Sequence, residues 1–365
     1  MQNKKWLSII LVILFFNFNW LTLNFDQEII SNRSSKNEFK GNFSEKLSIQ
    51  EALKLISYPN LSPYSLTNTT IAIIDSGVNN SLITNQWVNE NEIINDLDDD
   101  NNGYIDDYLG WDFILDKPIS KGNSALVGFS DHGTFIGNII QQMNPSVRIM
   151  NIRVLDENNS NPNFEDFAKA ILYAISFPDV KVIQFSIEFT PYWLINYPEI
   201  LRWAFTKAYL QNVTIVSVAG NGGKNSLSDP GNWPETISVA SVEKKGDAWI
   251  QASYSNSGDN LDISAPGTNI ESIGMNSEML ILSGTSFSSA FIGGAVSLLQ
   301  SIANNKLDPE QIRKLLQYSS ESLGTCSKYG AGLINISKLL DNTRNFQEKD
   351  NISLKCDPTY EIPST

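Results

Sequence analysis

The feature that most constrains this chain is an alternation of short apolar runs with longer stretches of helical periodicity. The apolar runs are rich in β-branched residues and have the length of strands that are buried on both faces. These predicted strands cover residues 70–74, 148–154, 180–187, 213–219 and 236–241. Strands of this kind are typical of a parallel sheet with both faces covered.

Helical periodicity fills the intervals between the predicted strands. The predicted helices cover residues 132–143, 164–175, 198–211 and 285–302, and another begins after Asp308. Asp308 is an N-cap there, because Pro309 occupies the first helical position and Glu310 makes the first turn acidic. Strands that alternate with helices predict an α/β fold of three layers, αβα, with a mainly parallel central sheet.

The N-terminus has the pattern of an export signal. A basic start at residues 1–5 is followed by an apolar run from Trp6 to Phe16. The run is shorter than the ~20 apolar residues that a membrane-spanning helix needs. We therefore predict a signal peptide over residues 1–25, with an uncleaved signal anchor as the alternative.

The segments at the two ends of the remaining chain are predicted to lie outside the main domain. Residues 26–63 are predicted to be a linker or a short pro-segment, within which Ser48 and Glu51 form the capping box of a short helix ending near Ile56. Residues 341–365 are polar and are predicted to be a C-terminal tail.

Charge and two residue counts exclude several classes of function. The sequence has 26 Lys and Arg against 40 Asp and Glu, a formal net charge of −14, which argues against a nucleic-acid partner. The single histidine excludes any mechanism that needs two. Two cysteines exclude four-thiolate zinc sites and disulfide-dense scaffolds. Cys326 and Cys356 are either one disulfide, which fits export, or two free thiols.

Three short segments carry residues suited to serine chemistry. Asp75 ends a predicted buried strand, His132 opens a predicted helix and Ser286 opens another. Taken singly, they are more often a turn acid, a structural histidine and a helix cap. Together they supply a nucleophile, a base to remove its proton and an acid to hold that base, which is what acyl transfer by serine needs.

The order of these residues narrows the class of enzyme. An α/β-hydrolase would place its serine first, in a Gly-x-Ser-x-Gly turn, whereas Phe287 and Ser288 follow Ser286 here. The order His, Asp, Ser lacks a comparable Asp motif after His132. The order Asp, His, Ser remains, and it is the order found in subtilisin.

With these motifs the chain resembles the subtilisin-like serine peptidases, or subtilases, over about residues 64–340. Further segments that carry the resemblance are Val218-Ala219-Gly220-Asn221, Ala265-Pro266-Gly267 and Tyr329-Gly330-Ala331-Gly332. It implies a subtilisin-like catalytic domain in which Ser286 is the nucleophile, His132 the general base and Asp75 its orienting acid. It also implies an oxyanion hole made by the Asn221 side chain and the backbone N–H of Ser286.

The same resemblance implies a substrate-binding strand at Ser186, Ile187 and Glu188, with Gly220 as a further substrate-binding residue. The family has glycine where this chain has Glu188. A glutamate there would narrow the S1 pocket or make it acidic, so we expect selective cleavage that favours Lys or Arg at P1. The alternative is that Glu188 is turned outward to solvent.

An acidic loop between Asp75 and His132 has the start of a calcium-binding pattern. Oxygen ligands stand at alternate positions, and Gly103 occupies the sixth place. The predicted ligands are Asp98, Asp100, Asn102, Tyr104 through its carbonyl, Asp106 and Asp107. The twelfth place of the pattern is Leu109 instead of glutamate. We therefore expect Asp106 or Asp107 to complete the coordination shell of the ion. We expect a structural Ca²⁺, with a solvated acidic turn as the alternative.

These features predict an exported serine endopeptidase, secreted or anchored on the outer face of the membrane by an uncleaved N-terminal segment. Glu188 and the short N-terminal extension favour a selective processing protease. Its expected partner is a protein or peptide substrate; we expect a monomer, no nucleic acid, and membrane contact only if the N-terminal segment is retained.

The alternative is a catalytically inactive subtilase scaffold that serves as a calcium-dependent binding module. Retention of the three triad residues and Asn221 argues against it. Two departures from the family, Phe135 for histidine and Ala290 for proline, involve no group that does chemistry, so activity is still expected.

Overall fold

The computed structural model describes residues 46–120, 130–161, 163–189, 198–345 and 353–356. The predicted signal peptide or anchor at residues 1–25 lies outside this part of the chain, as do the first residues of the predicted linker and most of the predicted tail. Among the described residues, no helix is long and apolar enough to cross a membrane.

Every strand and helix predicted from the periodicity is present in the described chain. The helices are α1 (Ile49–Leu55), α2 (Asp131–Met143), α3 (Phe164–Ser176), α4 (Glu199–Leu210), α5 (Thr285–Ile302), α6 (Pro309–Tyr318), α7 (Cys326–Tyr329) and α8 (Ile336–Asn345). The strands are β1 (Leu47–Ser48), β2 (Thr70–Asp75), β3 (Gly110–Asp112), β4 (Lys117–Pro118), β5 (Arg148–Arg153), β6 (Val180–Phe185), β7 (Thr214–Val218), β8 (Thr236–Lys245), β9 (Ala248–Gln251), β10 (Ile263–Pro266), β11 (Ile270–Ile273) and β12 (Met279–Leu282). The short strands were not predicted, because runs of two to four residues carry little periodicity.

The central sheet has the order β10-β8-β7-β6-β2-β5-β3-β4, with β9 paired to β8. The pairings along this order are parallel from β10 to β3. Only β3–β4 and β8–β9 are antiparallel among the described pairings of this sheet. A mainly parallel sheet is therefore confirmed. A second, three-stranded sheet has the order β1-β11-β12 and was not predicted.

Helices cover both faces of the central sheet. All six residues of β2 are buried, and its side chains alternate between two hydrophobic cores. Ile71 and Ile73 pack in the core that contains α2 and α5, whereas Ala72 and Ile74 pack in the core that contains α3 and α4. The sheet thus lies between two helical layers, which confirms the three-layer αβα architecture.

The last part of the segment assigned to a linker packs on the domain. Ser48 and Glu51 form the predicted capping box of α1. The apolar face of α1, including Ile49 and Leu53, is buried in the core, and β1 pairs with β11 through Leu47. The packed domain therefore begins before residue 64, because the i, i+3, i+4 spacing of these apolar residues gives α1 a face to bury.

Cys326 and Cys356 form a disulfide across a sequence separation of 30 residues. A closed loop of this length stabilises a folded chain by about 3–4 kcal/mol. The backbone N–H of Cys356 also donates to Oε1 of Gln317, at 3.1 Å. Residues 341–345 are the end of α8, so the region predicted to be tail begins as helix and is tied back to the domain at Cys356.

Candidate active site

The predicted site residues lie along one edge of the central sheet. Asp75 is the last residue of β2, Ser186 follows β6 and Asn221 follows β7. The strands are parallel, so their carboxyl ends share an edge, where open α/β sheets place their binding crevices. The fold therefore brings together side chains that are far apart in sequence.

Asp75 and His132 form a close pair at this edge. Asp75 is 1% exposed, its Oδ1 lies 2.7 Å from Nδ1 of His132, and the same oxygen accepts the Ser76 N–H. Burial of His132 lowers its pKa, but the charge of Asp75 and its hydrogen bond outweigh this, so the pKa is raised above 6.5. Because a carboxylate accepts, Nδ1 carries the proton and Nε2 is the basic nitrogen.

A glycine allows α2 to bring His132 this close to β2. A Cβ on Gly133 would lie 2.4 Å from the backbone oxygen of Gly77 and 3.3 Å from Oδ1 of Asp75. Ser130 is the N-cap of α2, and its Oγ accepts the His132 N–H at 3.3 Å. The sequence Asp131-His132-Gly133 thus combines the start of a helix with the small residue needed for close approach.

Ser286 lies in the first turn of α5 and is 7% exposed. Its Oγ donates to the backbone oxygen of Ser186 at 3.4 Å, and within the described chain it has no hydrogen bond to His132. The ring of the next residue, Phe287, has its centroid 5.8 Å from that of His132. The histidine therefore lies against the first turn of α5, which also holds Ser286.

Phe135 and Ala290, the two departures from the family, both lie in the core. The Phe135 ring packs against Phe287 with centroids 4.5 Å apart, and Ala290 is fully buried within α5. They fill space behind His132 and Ser286 and contribute no polar group to the site.

A buried polar cluster behind Ser286 was missed by sequence reasoning. Nε2 of Gln184 donates to Oγ of Ser186 and to Oγ of Ser289, both at 2.8 Å. Ser289 donates in turn to the backbone oxygen of Ser286 at 2.8 Å. These bonds join the end of β6 to the first turn of α5. The available signal was a glutamine among the buried apolar residues of β6, a strand that also contains Lys181.

Asn221 is held with its amide in one orientation. Its Oδ1 accepts the Thr285 N–H at 2.8 Å and the Thr285 hydroxyl at 3.0 Å. A backbone N–H requires an acceptor, so these bonds identify the oxygen end of the amide. Nδ2 has no partner among the described residues and remains available as a donor beside Ser286.

The carboxylate of Glu188 contacts the loop that contains Asn221. Its Oε2 accepts the Asn221 N–H at 3.2 Å and the Ser228 hydroxyl at 2.9 Å. Gly220 has a φ of +106°, and a Cβ there would lie 2.6 Å from the same oxygen. The carboxylate is partly buried and directed at this loop, so the alternative of a side chain turned outward to solvent does not hold. Ile187 is buried beside it.

The acidic loop brings together two of the predicted calcium ligands and one residue that was missed. Carboxylate oxygens of Glu92, Asp98 and Asp100 lie within 4.8 Å of one another. Glu92 is 3% exposed, and burial raises its pKa. A carboxylate cluster of this size offers the hard oxygen donors that Ca²⁺ prefers. Glu92 was missed because it precedes the ligand pattern and reaches the cluster only through the fold of the loop.

Asn102, Asp106 and Asp107 have hydrogen-bond partners in the loop or on α3. Oδ1 of Asn102 accepts the Tyr104 N–H at 2.8 Å, and the carboxylate of Asp106 accepts the backbone N–H groups of residues 95 and 96. Asp107 is fully buried and accepts the hydroxyl of Tyr173 at 2.7 Å. Burial raises the pKa of Asp107. Among the described residues, the three-carboxylate cluster therefore does not include Asp106 or Asp107.

Comparison with known proteins identifies relatives across most of the chain. The model of the subtilase family matches residues 67–332. The thermostable alkaline protease of Halalkalibacterium halodurans is 28% identical over 242 residues, which cover 63% of this chain and 61% of that relative. This chain therefore spans less than two thirds of the relative's length.

Two solved structures share the fold. A crystal structure of a lanthipeptide protease has a TM-score of 0.58 and 20% identity, over 80% of this chain and 90% of that chain. Fervidolysin from Fervidobacterium pennivorans, a keratinolytic enzyme related to subtilisin, has a TM-score of 0.62 and 22% identity, over 80% of this chain and 45% of that chain.

The pair formed by Asp75 and His132 predicts a measurable titration. Because the sequence has one histidine, its imidazole signals in NMR spectra are unambiguous. We expect a pKa above 6.5 in the wild type, and Asp75→Asn should lower it by about one unit or more, since it removes the nearby charge. Asp131→Asn is the control: its carboxylate accepts the Met275 N–H at 2.7 Å, and a smaller shift is expected. An unchanged pKa in Asp75→Asn would contradict the interpretation.

Proposed function

The chain belongs to the subtilase family, and from this premise we propose that it is a serine endopeptidase acting on protein or peptide substrates. One observation carries the proposal. The buried carboxylate of Asp75 lies 2.7 Å from His132, which packs beside the turn that holds Ser286. This arrangement supports a nucleophile, a base and an orienting acid acting as one unit.

In the proposed acylation step, Oγ of Ser286 attacks the scissile carbonyl carbon and its proton passes to Nε2 of His132. For this, Ser286 exchanges its long hydrogen bond to Ser186 for one to His132. Asp75 stabilises the imidazolium that forms. The oxyanion of the tetrahedral intermediate accepts hydrogen bonds from Nδ2 of Asn221 and the backbone N–H of Ser286, and one such side-chain donor is worth about 2.7–4 kcal/mol.

Collapse of this intermediate breaks the C–N bond. His132 returns the proton to the leaving amine, and the acyl group stays on Ser286 as an ester. Water then attacks the ester, with His132 again as base, and releases the carboxylic acid. His132 must be neutral at the start of each step, so its raised pKa moves the acidic limb of the pH–rate profile upward.

We also assign Ser186, Ile187, Glu188 and Gly220 to substrate binding. The segment 186–188 follows the central strand β6, at the same edge of the sheet as Asp75. Glu188 gives this segment a carboxylate, which supports selectivity for Lys or Arg at P1 and a role in processing particular substrates.

The proposed setting is export, with the protease secreted or held at the outer face of the membrane. It is supported by the basic and apolar start of the sequence and by the disulfide, since disulfides persist in oxidising compartments.

The acidic loop is proposed to hold a structural Ca²⁺. Glu92, Asp98 and Asp100 would be its first ligands, completed by oxygens drawn from Asn102, Tyr104, Asp106 or Asp107. The ion would offset the repulsion among these carboxylates and so stabilise the loop.

A fluorophosphonate probe tests the enzymatic function against a scaffold that only binds. The wild type should be labelled at one site, and Ser286→Ala should abolish labelling because it removes the nucleophile. Ser288→Ala is the matched control, since its hydroxyl lies in the same turn and has no hydrogen-bond partner among the described residues. Absence of labelling in a folded wild type would instead favour the inactive scaffold.

A peptide library varied at P1 tests selectivity. We expect faster cleavage after Lys or Arg than after apolar residues, because a fixed carboxylate attracts a cation in a partly buried pocket. The preference should weaken at high salt, which screens the charge. Equal rates at all P1 residues would overturn the assignment of Glu188 as a selectivity residue and leave the hydrolytic function standing.

Calorimetric titration with Ca²⁺ tests the metal site. We expect saturable binding, with affinity reduced at least about tenfold in Glu92→Gln, since each ligand charge strengthens the site. Asp99→Asn is the control. This substitution removes the same charge from the same loop, but Asp99 does not belong to the three-carboxylate cluster. The loss of affinity should be smaller in this variant. No heat of binding at millimolar Ca²⁺ would refute the site.

A further inference from the structure

We propose that Glu188 is a positioning residue for catalysis, which fixes the loop that presents Asn221 to the oxyanion. This inference rests on the proposed function. It gives the glutamate a second role, distinct from recognition of the P1 side chain.

The contacts of one carboxylate oxygen carry the argument. Oε2 of Glu188 accepts the backbone N–H of Asn221 at 3.2 Å and the hydroxyl of Ser228 at 2.9 Å. Glu188 comes three residues after the end of β6, a central strand of the sheet. The carboxylate therefore ties the Asn221 loop to a rigid element, through bonds that an ionised acceptor makes stronger.

The other end of Asn221 is fixed independently. Its side-chain Oδ1 accepts the N–H and the hydroxyl of Thr285, at 2.8 and 3.0 Å. Glu188 thus holds the backbone of Asn221 while Thr285, next to Ser286, holds its amide. With both ends held, Nδ2 has one direction in which to donate.

A third residue extends the support of this loop. Nδ2 of Asn256 donates to the Ser228 hydroxyl at 3.1 Å. Oδ1 of Asn256 accepts the backbone N–H groups of Gly222 and Lys224, at 3.0 and 2.9 Å. Glu188 and Asn256 therefore both bind the backbone of this loop, and both bind Ser228. Of the two, Glu188 is charged and accepts directly from the Asn221 N–H.

Gly220 shows how closely the carboxylate approaches the loop. Its φ of +106° favours glycine, and a Cβ there would lie 2.6 Å from Oε2 of Glu188 and 2.4 Å from Oγ of Ser228. The carboxylate therefore leaves no room for a side chain at the residue before Asn221.

Steady-state kinetics of three variants on a peptide with an apolar P1 residue test this role. Glu188→Ala should lower kcat about 10- to 100-fold with little change in KM, because misplacement of a group by about 1 Å costs on the order of 100-fold. Glu188→Gln keeps an acceptor for both donors and should recover most of that kcat. Glu165→Ala, which removes an exposed acid on α3, is the control for charge alone. Melting temperatures confirm that each variant is folded.

A double-mutant cycle with Asn221 separates positioning from a general structural effect. Asn221→Ala alone should lower kcat about 100- to 1000-fold. If Glu188 acts through Asn221, Glu188→Ala should cause no further loss in the Asn221→Ala background. Additive losses, or a Glu188→Ala variant with wild-type kcat, would overturn the proposal.

Ser228→Ala provides a second probe that leaves Glu188 in place. It removes one of the two donors to Oε2 and should lower kcat by a smaller factor than Glu188→Ala; a larger loss would contradict the central place of Glu188. Failure of the proposed function looks different, because the wild type would then hydrolyse no peptide and take up no fluorophosphonate.

Discussion

The site depends on a carboxylate buried at the end of the central strand. Asp75 is 1% exposed, and a charge removed from water in this way is costly unless it is paired. Oδ1 accepts from His132 and from Ser76, while Oδ2 has no partner among the described residues. His132 is therefore the main compensation for that charge, which fixes both its orientation and its raised pKa. The position of α2 follows, since the helix must bring its second residue to the end of β2.

The periodicity of the sequence was sufficient to predict the layers of the fold. In β2, Ile71 and Ile73 face one helical layer while Ala72 and Ile74 face the other, and a continuous apolar run is typical of a strand buried on both faces. Short elements were harder. Neither β11 nor β12 has a pattern of its own, because each has four residues; β11 pairs with the distant β1 and forms a hairpin with β12.

In the candidate site, the residues that belong to sequence motifs could be predicted. The residues that act through tertiary contacts could not. Asp75, His132 and Asn221 stand in recognisable segments. Glu92 and Gln184 do not, since each acts through neighbours that only the tertiary structure provides. The available signals were an acid before a ligand pattern and a glutamine among the apolar residues of β6. Both are common in proteins for reasons unrelated to a functional site. The sequence also indicated that Glu188 was unusual. The direction in which its side chain points could not be predicted, because it depends on a hydrogen bond to Ser228, 40 residues away in sequence.

The two roles proposed for Glu188 are compatible because donors occupy only one of its two oxygens. Oε2 is occupied by donors from the Asn221 loop, whereas Oε1 has no donor among the described residues. A Lys or Arg side chain at P1 would meet the free oxygen without displacing the bonds that hold the loop. A cation bound at Oε1 would also hold the carboxylate in place, and with it the bond that Oε2 accepts from the Asn221 N–H. A preferred substrate would thus reinforce the loop that stabilises its own oxyanion, and selectivity would appear in kcat as well as in KM.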